Sequence, residues 1–183
     1  MVKNFFLRVI NMKAWPAYMT LAFILHLSVL TVSGQDTSTI PTKAEAQEAW
    51  NRGNYKVAYD HFNGLLLLYS RYPVYSYYTG ACLVKLEQDL PRAVTLLGAA
   101  INGSVNVKSV PDDVWFYYGR ALQMTGSFNQ ASDAYQTFMK NAGRKVALEY
   151  DVQKYIDECS KEQGARGMEK RRLRQRLLRS RRA

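Results

Sequence analysis

From Thr42 to about Asp157, apolar positions recur every three or four residues, and no stretch sustains a two-residue alternation. That period belongs to amphipathic helices rather than strands. The pattern breaks where turn-forming residues gather: RGNY at 52–55, RYP at 71–73, EQDLP at 87–91, NGSVNVKSVPDD at 102–113, TGS at 125–127 and NAGR at 141–144. The segments between them run to about 10 to 17 residues, which predicts seven helices joined by mostly short turns and stacked as antiparallel pairs.

The pairs repeat. In the third, Gly119 is followed by Gly126, Phe128, Ala131, Tyr135 and Phe138. The first supplies Gly53, Tyr55, Ala58, Phe62 and Leu65 at the same offsets, with Ala46 where the first-helix glycine would stand. The second has Gly80, then Leu90, Ala93, Leu97 and Ala100. Its expected turn glycine is replaced by Gln88, and an extra residue lies between Gly80 and that position. Small residues at Gly80, Ala93, Gly119 and Ala131 let two backbones approach, while the aromatic four residues after the alanine lies on the same helix face and fills the space between neighbours.

This arrangement resembles the tetratricopeptide repeat, a helix–turn–helix unit with a period of 34 residues. The resemblance covers about residues 42–140 and is most specific in the third unit. It implies an all-α fold: a short right-handed α-solenoid of about three helix pairs plus a C-terminal capping helix. The cap is expected from RKVALEYDVQKYIDEC at 144–159, where Val146, Tyr150, Gln153 and Ile156 fall near helical spacing.

Charge separates the ends from the middle. The chain carries +10 overall, of which residues 1–34 hold +3 and residues 161–183 hold +8, leaving 35–160 at −1. A basic nucleic-acid-binding domain is therefore not indicated. At the N-terminus, Lys13 precedes the apolar run WPAYMTLAFILHLSVLTV and then SGQD. With Val32 and Gly34 at the −3 and −1 positions, residues 1–34 read as a signal peptide, and Met12 is an alternative start. The same segment approaches the roughly 20 apolar residues of a membrane span, so an uncleaved anchor is the other reading. Residues 35–41, QDTSTIP, read as a linker, 42–160 as the repeat domain, and 161–183 as an Arg-rich disordered tail. The tail could meet an anionic membrane surface, and a nucleic-acid role fits poorly with export. Its abrupt change from Lys to Arg usage would also suit truncation of, or a frameshift in, a longer protein.

Chemistry is sparse. His61 is the one histidine beyond the N-terminal segment and reads as a surface or half-buried side chain. Asp112 and Asp113 stand at a helix start, where capping explains them. Cys82 and Cys159 read as small buried apolar residues; an exported chain could join them, and spacing alone does not fix whether their Cα atoms come within about 7 Å. No ligand spacing for a metal and no phosphate loop is present, so neither catalysis nor a cofactor is expected.

The resemblance supplies a binding surface instead. In the family, first helices line a concave groove for a protein or peptide. Matching unit to unit puts Gln47 and Trp50, then Tyr77 and Lys85, then Phe116, Arg120 and Gln123 on that wall. The aromatic run YSRYPVYSYYTG at 69–80 is expected to serve mostly for packing between units, with a turn at Pro73. The order of elements is similar to exported Bacteroidetes-type periplasmic repeat proteins, some of which continue into an OmpA-type module. The implied role is a scaffold at the cell envelope assisting assembly or secretion, with a membrane-tethered scaffold or a fragment of such a longer protein as alternatives.

Overall fold

The computed structural model describes residues 41–104 and 109–181. The segment expected to direct export or anchor the chain, the linker up to residue 40 and part of the loop at 102–113 lie outside the described residues. Among the described residues there are seven helices and no strand. They are α1 (Lys43–Asn51), α2 (Tyr55–Leu68), α3 (Pro73–Leu86), α4 (Leu90–Gly103), α5 (Val114–Met124), α6 (Phe128–Glu149) and α7 (Val152–Ser180). Each helix packs against the next, and α3 also packs against α5. The fold is all-α.

Local chemistry sets the helix ends. Thr42 and Glu45 form a reciprocal capping box at the start of α1, with the Glu45 amide donating to Thr42 Oγ1 at 3.2 Å and the Thr42 amide donating to Glu45 Oε2 at 2.8 Å. Such a box satisfies two amides that the helix itself cannot pair. Prolines occupy the first turns of α3 and α4, where no intrahelical donor is lost.

Three turns share one geometry. The amides of Asn54, Gln88 and Ser127 donate to Ala49, Leu83 and Leu122, at 2.9, 3.0 and 2.8 Å. In each case the residue just before that amide has positive φ: Gly53 at 75°, Glu87 at 54° and Gly126 at 81°. This is the Schellman ending of a helix, in which a left-handed residue lets the chain turn back on the last carbonyls. It corrects the sequence register. Glu87, not Gln88, occupies the turn-glycine position, so the seven-residue offset from Gly80 is kept and the extra residue falls after the turn. A second left-handed residue, Asp89 at 39°, absorbs it.

The small residues lie where helices approach. A Cβ on Gly119 would stand 2.7 Å from Tyr135 Cε1, and one on Gly80 would stand 2.8 Å from Leu97 Cγ. Ala46 and Phe62 hold the equivalent places in the first pair and are fully buried. Ala58, Ala93 and Ala131 are likewise fully buried. The core falls into two clusters. One runs through α3 to α7, and a smaller one joins α1 and α2 with Cys82; Trp50, Tyr59 and Tyr78 pack against both. Arg92 of α4 clasps α2 as well, donating to Tyr59 Oη at 2.8 Å and Asn63 Oδ1 at 2.7 Å.

The C-terminal part departs from expectation twice. The cap is not one helix over 144–159. α6 bends at Gly143 (φ 83°) and continues to Glu149, and α7 starts afresh after Asp151, whose φ of 50° ends the first segment. Among the described residues the tail beyond residue 160 is helical rather than disordered, because α7 runs on to Ser180. Arg, Lys, Leu, Met, Gln and Glu dominate that stretch, and all favour helix.

Candidate functional site

The predicted wall residues separate into three groups. Gln47, Trp50 and Lys85 come together on one surface. The Trp50 ring meets Tyr55, Tyr78 and Tyr117 edge-on, with centroids 5.3, 5.4 and 5.9 Å apart. Lys85 Nζ lies 5.5 Å from the ring centroids of both Tyr55 and Tyr117. Gln47, half-buried, donates to Asn51 Oδ1 at 3.2 Å. Trp50, Tyr55 and Tyr78 are half-buried and Lys85 is exposed. The result is a tyrosine-lined patch with one ammonium group held over two aromatic faces, where cation–π attraction fixes its position.

Tyr77 and Phe116 do not belong to an accessible wall. Tyr77 is 1% exposed and Phe116 8%. Phe116 is enclosed by Tyr135, Phe138, Tyr150 and Tyr155, its ring 4.7 Å from that of Tyr150. Tyr135 and Phe138 belong to the same repeat pair, whereas Tyr150 after α6 and Tyr155 of α7 lie outside the unit-by-unit match. One residue further along each helix, Tyr78 is half-buried and reaches the surface, whereas its counterpart Tyr117 is only 5% exposed and underlies the patch. Their signal was in the sequence: both precede a first-helix glycine by two positions.

Arg120 and Gln123 form the third group and are engaged internally. The Arg120 guanidinium sits 4.5 Å from the Tyr155 ring centroid and donates to Gln123 Oε1 at 3.1 Å. The same oxygen accepts from Tyr135 Oη at 2.7 Å, and Gln123 Nε2 donates to Glu158 Oε2 at 2.9 Å. This network ties α5 and α6 to α7.

Asp113 also departs from the sequence reading. It precedes α5, yet its side chain caps no amide. Instead Oδ1 accepts from Tyr77 Oη at 2.7 Å and Oδ2 from Tyr150 Oη at 3.2 Å. Burial raises its carboxyl above the usual carboxylate value, and the two phenol hydrogen bonds act in the opposite direction. Burial pushes Tyr150 up to about 12, with the neighbouring Asp113 charge adding to it. A half-buried carboxylate thus joins α3, α5 and the residue that follows α6.

Other candidate chemistry stays apart. Cys82 and Cys159 are free and fully buried; burial pushes the Cys82 thiol up to about 12. His61 is half-buried. No group of three His, Cys, Asp or Glu side chains is placed to hold a metal among the described residues. No helix among them is long and apolar enough to cross a membrane.

Two surface features were not anticipated. Leu67, Leu68, Tyr69 and Tyr72, around the end of α2, are 48–77% exposed. An open cleft of about 550 Å³ lies where the turn before α6 meets α7, lined by Gly126, Phe128, Gln130, Gln163 and Arg166 among others. No protein-family model matches the chain, and no curated protein matches it significantly.

Proposed function

We propose that the chain is an exported tetratricopeptide-type scaffold, a short right-handed solenoid that binds a protein or peptide on the face of its first helices. The observation carrying this reading is the recurrence of one contact and one turn in successive pairs: Gly80 under Leu97, Gly119 under Tyr135, and a Schellman turn seven residues after Ala46, Gly80 and Gly119. A unit that cannot cover its own apolar face stacks on the next one, and such stacks present a continuous surface of first helices. The binding surface is assigned to Gln47, Trp50, Tyr78 and Lys85, supported by Tyr55 and Tyr117. Half-buried aromatic rings offer large contact area at low entropic cost. Among the described residues Lys85 meets those rings and no carboxylate. Its charge remains open to an acceptor on the partner.

Recovery of envelope proteins on the immobilised wild-type chain and on Trp50→Ala/Lys85→Ala tests the surface. Circular dichroism establishes that the variant is folded. A folded variant that recovers the same partners in the same amounts would exclude this face. The export reading rests on residues 1–34, and the mass of the envelope-purified protein decides between cleavage and an anchor.

A further inference from the structure

α7 carries one stripe along its whole length. At about 100° per residue, Val152, Tyr155, Cys159, Gln163, Arg166, Leu173 and Leu177 fall on one face. The first half of that stripe is covered, with Val152 and Cys159 fully buried. Arg166 is the last attachment to the body: Nη1 donates to the Gly126 carbonyl at 2.9 Å, and the guanidinium lies 4.5 Å from the Phe128 ring centroid. From Gly164 to Arg181 every residue is exposed, and on the continuing stripe Leu173 and Leu177 are 52% and 63% exposed. The free length of α7 therefore presents Leu173 and Leu177, bracketed on the same face by Lys170 and Arg181, on the side where the body stands, just past the body's edge. Helix and body enclose a notch, and the 550 Å³ cleft beneath Arg166 forms its base.

The charge of the notch selects its occupant. Between Gly164 and Arg181 eight Lys and Arg side chains oppose Glu169 alone, a net charge of +7. Lys170, Arg174 and Arg181 flank the leucines on one side and Arg176 on the other. Like charges four residues apart, such as Lys170 with Arg174, destabilise a helix, so an anionic partner relieves a cost already present. A planar bilayer cannot reach this face, because the body projects on the same side of α7. A nucleic acid would neutralise the cations but leave the two leucines uncovered. We propose that the notch docks an acidic amphipathic helix of another polypeptide. Its apolar residues cover Leu173 and Leu177, and its carboxylates pair with the flanking Lys and Arg, the helix-in-groove mode of recognition.

The probe is a labelled synthetic peptide of repeated heptads with Leu at two positions and Glu elsewhere, and the control has Ala for each Leu. Both are titrated against the full chain by fluorescence anisotropy. The Leu peptide is expected to bind at least about tenfold tighter than the Ala peptide. Leu173→Ser/Leu177→Ser should abolish that difference. Gln130→Trp leaves α7 untouched, fills the cleft and should weaken the Leu peptide by about tenfold. Equal binding of the two peptides, or unchanged binding by either variant, overturns the proposal. So does tighter retention on vesicles containing about a third phosphatidylglycerol, or on duplex DNA, than on the Leu peptide.

Discussion

Tyr135 packs against the backbone of Gly119, so close that a methyl group on Gly119 would stand 2.7 Å from Cε1 and 2.8 Å from Cδ1 of the ring. Helix propensity alone would favour Gly119→Ala by about 1 kcal/mol. Overpacking against a fully buried ring costs about 1–3 kcal/mol, and the contact involves the rigid ring body rather than a flexible tip. Gly119→Ala is therefore expected to destabilise the protein by up to roughly 2 kcal/mol, measured by urea denaturation. Adding Tyr135→Leu should return part of that loss. Additive losses in the double variant would argue against this contact as the cause.

The three Schellman turns make opposite predictions at equivalent positions. Glu87 holds a left-handed φ of 54° that glycine holds in the other two turns. Glu87→Gly should stabilise by roughly 0.5–1 kcal/mol, since the left-handed conformation costs an L-residue more than glycine's extra entropy. Gly126→Ala should lose more than Gly53→Ala. Both acquire strain, and a Cβ at Gly126 would also push aside the flexible Arg166 guanidinium, 2.7 Å away at Nη2, at the expense of its hydrogen bond to the Gly126 carbonyl, whereas nothing lies within 4 Å at Gly53. Thermal melts of the three variants rank them.

Asp113 gives the protein a specific pH signature. Burial raises its carboxyl above 3.8 in the native state, so the native protein binds this proton more tightly than the unfolded chain. The group's contribution to stability is fully present below pH 3.8 and is lost as pH rises through the raised value. Glu45 acts in the opposite sense: the backbone hydrogen bond from Thr42 holds its carboxyl below 4.5, and that contribution is lost as pH falls. The wild-type stability minus that of Asp113→Asn isolates the first effect. The difference should fall as pH rises from 3.8 and then become level. A difference curve flat across this range would refute the assignment.

Removing Tyr77 Oη tests the same cluster by another route. Tyr77→Phe keeps the ring in place and deprives Asp113 of its 2.7 Å donor. Leaving a buried acceptor short of a partner costs about 1–3 kcal/mol. The loss should shrink at acid pH, where the carboxyl is protonated and no longer needs two donors. Denaturant titrations at neutral and acid pH measure both values.

Both thiols should be silent in the native protein. Cys82 and Cys159 have no exposed surface, and the Cys82 thiol is pushed up to about 12, so the thiolate that reacts is scarce. Ellman's reagent is expected to modify neither in buffer and both in denaturant. Rapid labelling of one cysteine would identify a local opening of its helix.

Helix existence and most breaks were legible because glycine, proline and polar clusters mark them: the turns at Gly53, Pro73 and Gly126 and the bend at Gly143 all fall inside stretches that the sequence marks. Asp151 was not legible. An aspartate inside LEYDVQ carries no turn signal, and only the packing of Tyr150 over Phe116 and Asp113 accounts for the chain turning there. The candidate site was half legible for the same reason. Gln47, Trp50 and Lys85 follow from repeat register alone. Tyr77 and Phe116 do not lie on an open wall: Tyr135 and Phe138 of the same repeat pair cover Phe116 from one side. Tyr150 and Tyr155, beyond the reach of a repeat pattern, close it, and Tyr150 joins Tyr77 at Asp113. The second turn reads one residue late in the sequence, at Gln88, because a left-handed Glu87 breaks the glycine rule that sets the register.

The division of the core into two clusters has a consequence for how the molecule opens. α1 and α2 hold their own buried group and are fastened to the rest chiefly by Trp50, by the Phe62 ring stacked 4.4 Å from Tyr78, and by the Arg92 clasp. Stacked pairs of this kind unfold piecewise, the end pair first. Amide exchange should therefore be faster in α1 and α2 than in α5, and Arg92→Ala should widen that gap. Trp50 reports the event directly, because lifting the first pair strips its indole from Tyr78 and Tyr117 while the remaining helices stay assembled. A partner that seats on Trp50 would then act as a latch, holding closed the end of the stack that opens most readily by itself.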